Sequence, residues 1–396
     1  MALEDQLKKR IQEHGPLTVA AFMDLALYDS EFGYYARSVQ RSGRAGDFFT
    51  SVDVGALFGE LLAVQVAEMA RLLLTRGSAP DLVASVDPGA PRAPDHGWTS
   101  AGSFALVEAG AGNGRLAADV LAALRREQLI IYQQTRLHLV EASPAARATQ
   151  RDTLGDMSDR LASSSATLPA SFEGVLVANE LLDAMPVHQV VMHETGLHEM
   201  YVDHDSGAWM LREGPPSTPR LQQYFDALDV HLEPGWRAEV SLRAVDWIRD
   251  ALARMTRGFA IFIDYGHEAR DLYSVAHSAG TLTSFLRHTS SGADARHPAA
   301  WLANPGEQDL TAHVDFTSVR RAAEAEGGCT LGFLDQTYFL MALGADRLAS
   351  LDLRQRLALK TLLMPGGLGS TMKVLILGKG VGTPTLAGCS GAIRVT

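Results

Sequence analysis

Leu106-Val107-Glu108-Ala109-Gly110-Ala111-Gly112-Asn113-Gly114-Arg115-Leu116 decides the fold, because here an apolar run meets three alternating glycines and then a helical pattern. Glycine lets the backbone turn tightly and bring its N–H groups against a ligand at the start of a helix. A dinucleotide fingerprint needs G-x-G-x-x-G, but the sixth position is Arg115 counted from Gly110 and Ala117 counted from Gly112. A nicotinamide-dependent oxidoreductase is therefore the weakest interpretation.

The acids around this turn suit a bound adenosine cofactor. Glu108 precedes the first glycine by two residues, and E-x-G-x-G-x-G is the pattern of class I methyltransferases, whose turn faces the methionine part of S-adenosyl-L-methionine. Glu141 ends the next apolar run, where a carboxylate accepts both hydrogen bonds of a ribose diol. The alternative is a glycine-rich turn and a solvated glutamate. We predict cofactor contacts from Glu108, Gly110, Gly112, Gly114 and Glu141.

Short apolar runs separated by helical patterns indicate the fold class. Such alternation predicts an α/β fold with a mostly parallel sheet and helices on both faces. Residues 187–245 alternate in polarity and suit an inserted antiparallel hairpin. The runs are Phe104 to Glu108, Leu137 to Glu141, Gly174 to Ala178, Phe259 to Asp264 and Met372 to Leu377.

The third run ends in the best candidates for catalysis. In an open parallel sheet the ligand lies beyond the carboxyl ends of the strands, so Asn179, Glu180 and Asp183 are expected near the reactive end of the cofactor. The alternative is that Asn179 or Asp183 caps a helix and Glu180 faces water. Asp264 ends the fourth run, where it either lines the same cleft or caps the following turn.

His313 and Asp315 invite a metal or acid–base interpretation. No H-x-x-x-H motif or cysteine cluster accompanies the pair, and Asp315 directly precedes a helical pattern. We therefore predict that Asp315 is a helix N-cap and that the protein has no metal site.

Composition excludes several classes of protein. The chain has 396 residues, of which 46% are hydrophobic and 20% charged, as in ordinary globular proteins. Its formal net charge of −11 argues against a general nucleic-acid binder and mildly favours a cationic partner. Two cysteines support neither a disulfide framework nor a thiolate zinc site. The early acids Glu4 and Asp5 and the lack of any apolar run near 20 residues predict a cytoplasmic protein without a membrane partner.

Seven segments in order resemble the MidA family across about residues 15 to 379. Two differences accompany the match: Ala109 stands where the family usually has leucine, and Val52-Asp53 stands where it commonly has Pro-Glu. The segments are Gly33-Tyr34-Tyr35, Gly46-Asp47-Phe48-Phe49-Thr50-Ser51, Phe58-Gly59-Glu60, the Glu108 to Gly114 turn, Asn179-Glu180-Leu181-Leu182-Asp183-Ala184-Met185-Pro186, Asp264-Tyr265-Gly266 and Asp309-Leu310-Thr311-Ala312-His313-Val314-Asp315-Phe316.

The resemblance implies a Rossmann-like class I methyltransferase with S-adenosyl-L-methionine as cofactor. It implies an N-terminal helical lid region over 1–75 and a methyltransferase domain over 104–379 with insertions near 187–245 and 270–330. Composition predicts the remaining parts: residues 76–103, rich in Pro, Gly, Ser and Asp without a period, form an exposed loop, and the Gly/Thr/Ser-rich residues 380–396 form a flexible tail. Thr50 is expected to contact the cofactor, within a segment that covers it. The aromatic residues that are expected to form this lid, or else to pack in the core, are Phe32, Tyr34, Tyr35, Phe48 and Phe49.

The mitochondrial member of the family is a protein arginine methyltransferase that assists assembly of respiratory complex I, which implies symmetric dimethylation of an arginine on a partner protein. Carboxylates suit this substrate, because a guanidinium presents planar pairs of donors. Our hypothesis is that Glu180 and Asp183 clamp the guanidinium and that Asn179 orients the site. The alternatives are a methyltransferase for a small molecule and a non-catalytic assembly factor that keeps the fold.

Overall fold

A computed structural model describes residues 3–37, 50–75, 102–286, 289–291, 300–344, 352–363 and 371–390. Three parts of the predictions lie outside this part of the chain: residues 76–101 of the loop predicted over 76–103, the lid residues Phe48 and Phe49, and the last six residues of the predicted tail. The helices are α1 (Leu3–His14), α2 (Val19–Tyr28), α3 (Tyr34–Arg37), α4 (Leu57–Leu74), α5 (Arg115–Glu127), α6 (Leu129–Gln134), α7 (Pro144–Leu154), α8 (Arg220–Leu228), α9 (Leu242–Arg254), α10 (Ala269–Leu272), α11 (Phe316–Ala325), α12 (Gln336–Gly344) and α13 (Leu353–Leu363). The strands are β1 (Leu17–Thr18), β2 (Phe104–Ala109), β3 (Thr135–Val140), β4 (Leu161–Ser165), β5 (Phe172–Asn179), β6 (His188–His193), β7 (Gly196–Asp205), β8 (Ala208–Gly214), β9 (Arg237–Val240), β10 (Met255–His267), β11 (Thr283–Leu286), β12 (Thr289–Ser291), β13 (Asp309–Thr311), β14 (Val314–Asp315), β15 (Cys329–Asp335) and β16 (Met372–Lys379).

The main sheet has the strand order β15-β16-β10-β5-β2-β3-β4. Strands β4, β3, β2, β5 and β10 are parallel, and β16 runs antiparallel to both β10 and β15. The predicted, mostly parallel sheet is therefore confirmed, and every predicted apolar run is one of its strands. The edge strands β4 and β15 were not predicted, because most of their residues are only partly buried and carry no continuous apolar run.

Helices cover both faces of this sheet, as predicted. Leu106, Val175 and Ile261 point to one face and pack in the same core as α4, α5 and α12. Their neighbours Val107 and Leu176 point to the other face and share a core with α8, α9 and α11. Because successive side chains of a strand point to opposite faces, a strand buried on both sides must be apolar throughout, which is why these strands were recognisable.

A second sheet is built from the expected insertion and the start of the chain. Strands β6 and β7 form the predicted antiparallel hairpin, β9 and β8 extend it on either side, and β1 pairs with β7. Helices α1 and α2 pack on this sheet, whereas α4 packs on the main sheet. Packing thus divides the predicted 1–75 region between two cores.

The prediction of a flexible tail over 380–396 is wrong for residues 380–390. Leu386 is buried, the N–H of Ala387 donates to Glu68 Oε2 at 2.9 Å, and the N–H of Gly388 donates to Gln65 Oε1 at 2.9 Å. A glycine- and threonine-rich composition does not reveal these contacts, because they depend on acceptors that α4 supplies more than 300 residues earlier.

Candidate active site

A cavity of about 500 Å³ opens where β2, β3 and β5 end. The glycine turn, the segment after β3 and the segment after β5 form its walls, as the rule for open parallel sheets predicts. The predicted site residues that line it are Thr50, Glu108, Gly110, Gly112, Glu141, Asn179 and Glu180. Gly114 and Asp183 do not line it.

The glycine turn leaves room for a ligand at one position in particular. Gly112 has φ +52°, and a Cβ placed on it would meet no atom within 4 Å, so this glycine borders open space in the cavity. Gly114 has φ +84° and caps α5, and its Cβ would lie 3.2 Å from Leu139 Cδ1. Gly114 is therefore required by local packing, whereas Gly112 allows close approach of a ligand.

Two buried acids hold the turn in place. Glu108 Oε2 accepts a hydrogen bond from the N–H of Ala117 at 3.0 Å, and burial raises the pKa of Glu108 to about 8. Glu141 Oε2 accepts from the N–H of Gly112 at 2.8 Å, and its Oε1 accepts from the N–H of Ser143 at 2.7 Å. Each carboxylate oxygen has a second lone pair, so Glu141 retains the capacity to accept from ribose hydroxyls.

Glu180 combines a strained backbone with a perturbed carboxyl group. It is a non-glycine residue with φ +50°, a conformation that costs roughly 1–2 kcal/mol and recurs at functional sites. Its Oε1 accepts from the N–H of Ser51 at 3.2 Å and from Asn179 Nδ2 at 3.1 Å. Burial, followed by the negative charge of Asp183, raises the pKa of Glu180 to about 8. In the free protein this carboxyl is therefore largely neutral at pH 7, and a cation in the cavity would favour its ionisation.

The predicted clamp of Glu180 with Asp183 is not what the structure forms. Asp183 is buried and does not line the cavity, and its charge acts on the neighbouring Asp264. Asp264 accepts from the N–H groups of Leu181 and Leu182 at 3.1 and 2.8 Å, so it supports the turn that carries Glu180. Burial and the charge of Asp183 raise the pKa of Asp264 well above its ordinary value, and burial raises that of Asp183 to about 6. Asp183 and Asp264 therefore do not line the cavity, and Asp264 stabilises the turn that does.

Asp53, one of the residues that differ from the family pattern, fixes the segment that contains Thr50. The backbone N–H and the hydroxyl of Thr50 both donate to Asp53 Oδ2, at 3.0 and 2.9 Å. Arg115, at the start of α5, lies 3.6 Å from Asp53 Oδ1. Asp53 therefore caps this segment and links it to the helix that follows the glycine turn.

Several cavity residues were missed by sequence reasoning. Tyr28, Arg243 and Trp247 line the cavity from α2 and α9, and Tyr35 of the predicted lid joins them from α3. The Tyr28 hydroxyl donates to the Ala184 carbonyl at 3.0 Å, and the Arg243 guanidinium lies 5.5 Å from the centre of the Tyr28 ring. No local motif marks Tyr28, Arg243 or Trp247, because each belongs to a helix whose position depends on packing. Phe32 and Tyr34 pack in the core of the second sheet.

Asp315 is the helix N-cap that the sequence predicted. Its Oδ1 accepts from the N–H groups of Thr317 and Ser318 at 2.8 and 3.3 Å, and its Oδ2 accepts from the Tyr224 hydroxyl at 2.7 Å. With both oxygens engaged, Asp315 is part of the fold and not a partner of His313.

Comparison with known proteins agrees with this geometry. The chain is 29% identical over 368 residues to the mitochondrial protein arginine methyltransferase NDUFAF7 of Mus musculus, covering 86% of this chain and 73% of that protein. It is 27% identical to the Homo sapiens protein of the same name, with the same shares covered. A crystal structure of a COG1565 superfamily member from Burkholderia thailandensis bound to S-adenosyl-homocysteine superposes with a TM-score of 0.81 at 29% identity. The superposition covers 98% of this chain and 94% of that one.

No described helix is long and apolar enough to cross a membrane.

The family model of S-adenosyl-L-methionine-dependent methyltransferases called Methyltransf_28 matches residues 95–334, which include the glycine turn, Glu141 and Glu180. The predicted resemblance, fold, cofactor and enzyme class are confirmed by this match and by the superposition. The family explains three features together, namely the mostly parallel sheet, the room at Gly112 in the glycine turn and the acids at the ends of three adjacent strands. The chain belongs to the S-adenosyl-L-methionine-dependent methyltransferases.

Proposed function

We propose that this protein transfers a methyl group to an arginine side chain of a partner protein. The observation that carries this proposal is the half-buried carboxyl group of Glu180, which lies in the wall of the same cavity as the glycine turn. Named protein arginine methyltransferases that match 86% of the chain support the same substrate. S-adenosyl-L-methionine supplies the methyl group on a sulfonium, and the residues described here bind, orient and handle the proton.

Binding of the substrate converts Glu180 to its reactive form. The carboxyl is largely neutral in the free protein, because burial raises its pKa to about 8. A guanidinium beside it offsets the cost of the buried charge, so the carboxyl ionises and accepts N–H donors from the substrate. Glu180 Oε1 is already bonded to Ser51 and Asn179, and the described residues give Oε2 no hydrogen-bond partner, which leaves it for the guanidinium.

Asn179 contributes a second acceptor. Its Nδ2 donates to Glu180, while its buried Oδ1 has no hydrogen-bond partner among the described residues. A substrate N–H donated to this oxygen would relieve an unpaired buried acceptor and would hold the guanidinium plane in register with Glu180. The attacking nitrogen then loses one proton as it gains the methyl group, and Glu180 is positioned to accept that proton.

The resemblance to the MidA family supports a subunit of respiratory complex I as the acceptor and a role in assembly. We also propose a cytoplasmic location, for which the support is that Cys329 and Cys389 are both unpaired. Fractionation of cells that express the protein at its natural level tests this location.

The test of the activity uses labelled S-adenosyl-L-methionine and a lysate from cells that lack the protein. We expect label in protein, recovered as methylarginine after acid hydrolysis. Glu180→Gln is expected to lose it while still binding S-adenosyl-homocysteine, and Glu194→Gln, on the exposed turn between β6 and β7, is the matched control. Label in a small molecule would replace the proposal with the small-molecule methyltransferase, and cofactor binding without transfer to any acceptor would favour the non-catalytic assembly factor.

A further inference from the structure

Three histidines from separate segments meet outside the methyltransferase cavity. His267 ends β10, His277 ends a short helical turn after α10, and His313 directly precedes β14. One ring nitrogen from each lies within 4.8 Å of the others, and the ring centres are 4.8 to 5.8 Å apart. All three side chains are half-buried. We propose that this histidine cluster binds a divalent transition metal, with Zn²⁺ as the ion that fits its donors.

The hydrogen bonds of the cluster leave nitrogen lone pairs free. Nδ1 of His277 lies 3.0 Å from the Asp271 carbonyl oxygen, which only accepts, so Nδ1 carries the hydrogen and Nε2 keeps its lone pair. This is the arrangement that orients metal-binding histidines in other proteins. Nδ1 of His313 is buried and has no hydrogen-bond partner within the described ranges. A metal ion would provide the partner that this nitrogen lacks.

The charges around the cluster are compatible with a cation. Asp271 and Asp335 lie close enough to His267 to act on it electrostatically, and the nearby Lys373 is paired with Asp335.

The donor set favours zinc over calcium or magnesium. Three imidazoles are borderline ligands that suit Zn²⁺, whereas the other two ions prefer oxygen. Tetrahedral zinc with Zn–N bonds of about 2.0–2.1 Å places its ligand nitrogens roughly 3.3 Å apart, so modest side-chain rotation closes the cluster around the ion. A water molecule is the expected fourth ligand.

Metal at this position would brace the wall of the methyltransferase cavity. The N–H of Ala312, beside His313, donates to the Asp183 carbonyl at 2.9 Å, and the N–H of His313 donates to Thr281 Oγ1 at 3.1 Å. The ion would therefore link β10, the segment before β11 and the segment of Ala312 and His313, which is hydrogen-bonded to Asp183. The expected result is a more stable protein, with a rise in melting temperature that depends on metal concentration.

The test uses untagged full-length protein stripped with a chelator and titrated with Co²⁺ and then Zn²⁺. We expect one equivalent of Co²⁺ to give the intense visible absorption of tetrahedral coordination, and Zn²⁺ to displace it. His313→Gln and His277→Gln should each weaken binding about tenfold or more, since even changes behind a ligand have effects of this size. Retained binding of S-adenosyl-homocysteine shows that the variants fold.

His193→Gln is the matched control, because His193 and His198 form another ring pair, 4.6 Å apart, in the second sheet. It should bind metal as the wild type does. Absence of a bound equivalent in the wild type, unchanged affinity in both cluster variants, or loss of binding in His193→Gln would each overturn the proposal.

Discussion

Replacing Gly112 by alanine should weaken cofactor binding while leaving the protein folded. The Cβ of the variant would meet no protein atom within 4 Å, so it would project into the cavity without a clash. Its φ of +52° lies in the left-handed region, where a Cβ costs roughly 1–2 kcal/mol. The variant should therefore remain folded at 25 °C, because typical domains have stabilities of about 5–15 kcal/mol.

The effect on the cofactor is separate from this cost in stability. A methyl group in the space that Gly112 leaves open would compete with the ligand for that space, and we expect at least about a tenfold loss of affinity, equivalent to about 1.4 kcal/mol. Gly207→Ala is the matched control: Gly207 has φ +84°, its Cβ would also meet no atom within 4 Å, and it lies on the turn between β7 and β8, outside the cavity. Both variants should lose similar stability.

The comparison uses two measurements on each variant. Calorimetric titration with S-adenosyl-homocysteine gives the affinity, and a chemical denaturation curve gives the free energy of unfolding. The expected result is a similar loss of stability in both variants and a loss of affinity in Gly112→Ala alone. Equal affinity in the wild type and Gly112→Ala would refute the assignment of the turn to the cofactor, whatever the effect on stability.

Three further predictions follow from the same structure. Since kcat/KM reports the free enzyme, it should rise with pH through the Glu180 pKa of about 8 and level off roughly one pH unit higher, where Glu180 is ionised. Glu180→Gln should lack this rise, and a flat wild-type profile would contradict the role of Glu180. Burial raises the pKa of Glu108 from 4.5 to about 8, so its contribution to the free energy of unfolding is complete below pH 4.5 and is lost as the pH rises towards 8. Denaturation at pH 5 and pH 9 should show that Glu108→Gln removes about 3–5 kcal/mol of the difference in stability between these two pH values. Asp315→Ala should lower the free energy of unfolding by about 2–4 kcal/mol, because it removes the cap of α11 and the acceptor of the buried Tyr224 hydroxyl, and a change below about 1 kcal/mol would count against this account.

The fold was predictable where local sequence carries the physical signal. The strands β2, β5, β10 and β16 are apolar on both faces over most of their length, and Asp315 caps its helix as predicted. The edge strands lacked that signal because one side of each is partly exposed. Strand β1 has only two residues and exists because β7 pairs with it, a partner that no local pattern specifies.

The candidate site divides in the same way. The glycine turn, Glu141 and Glu180 follow strands directly, so the rule that ligands bind at strand ends located them. Asp183 is only three residues beyond Glu180, yet it does not line the cavity and instead acts on Asp264, a residue 81 positions later. Spacing along the chain does not tell which of two nearby acids faces a ligand, since that depends on the course of the turn between them.

The sequence by itself determined the class of sheet, the cofactor turn and the residues at the ends of its strands, because periodicity and glycine spacing are local properties of the chain. Only the tertiary structure decided that Tyr28 and Arg243 complete the cavity, that Asp264 supports its wall, and that His267, His277 and His313 meet. These contacts arise when helices and loops pack on the finished sheet, and the free energy that selects them comes from the whole core rather than from any one segment.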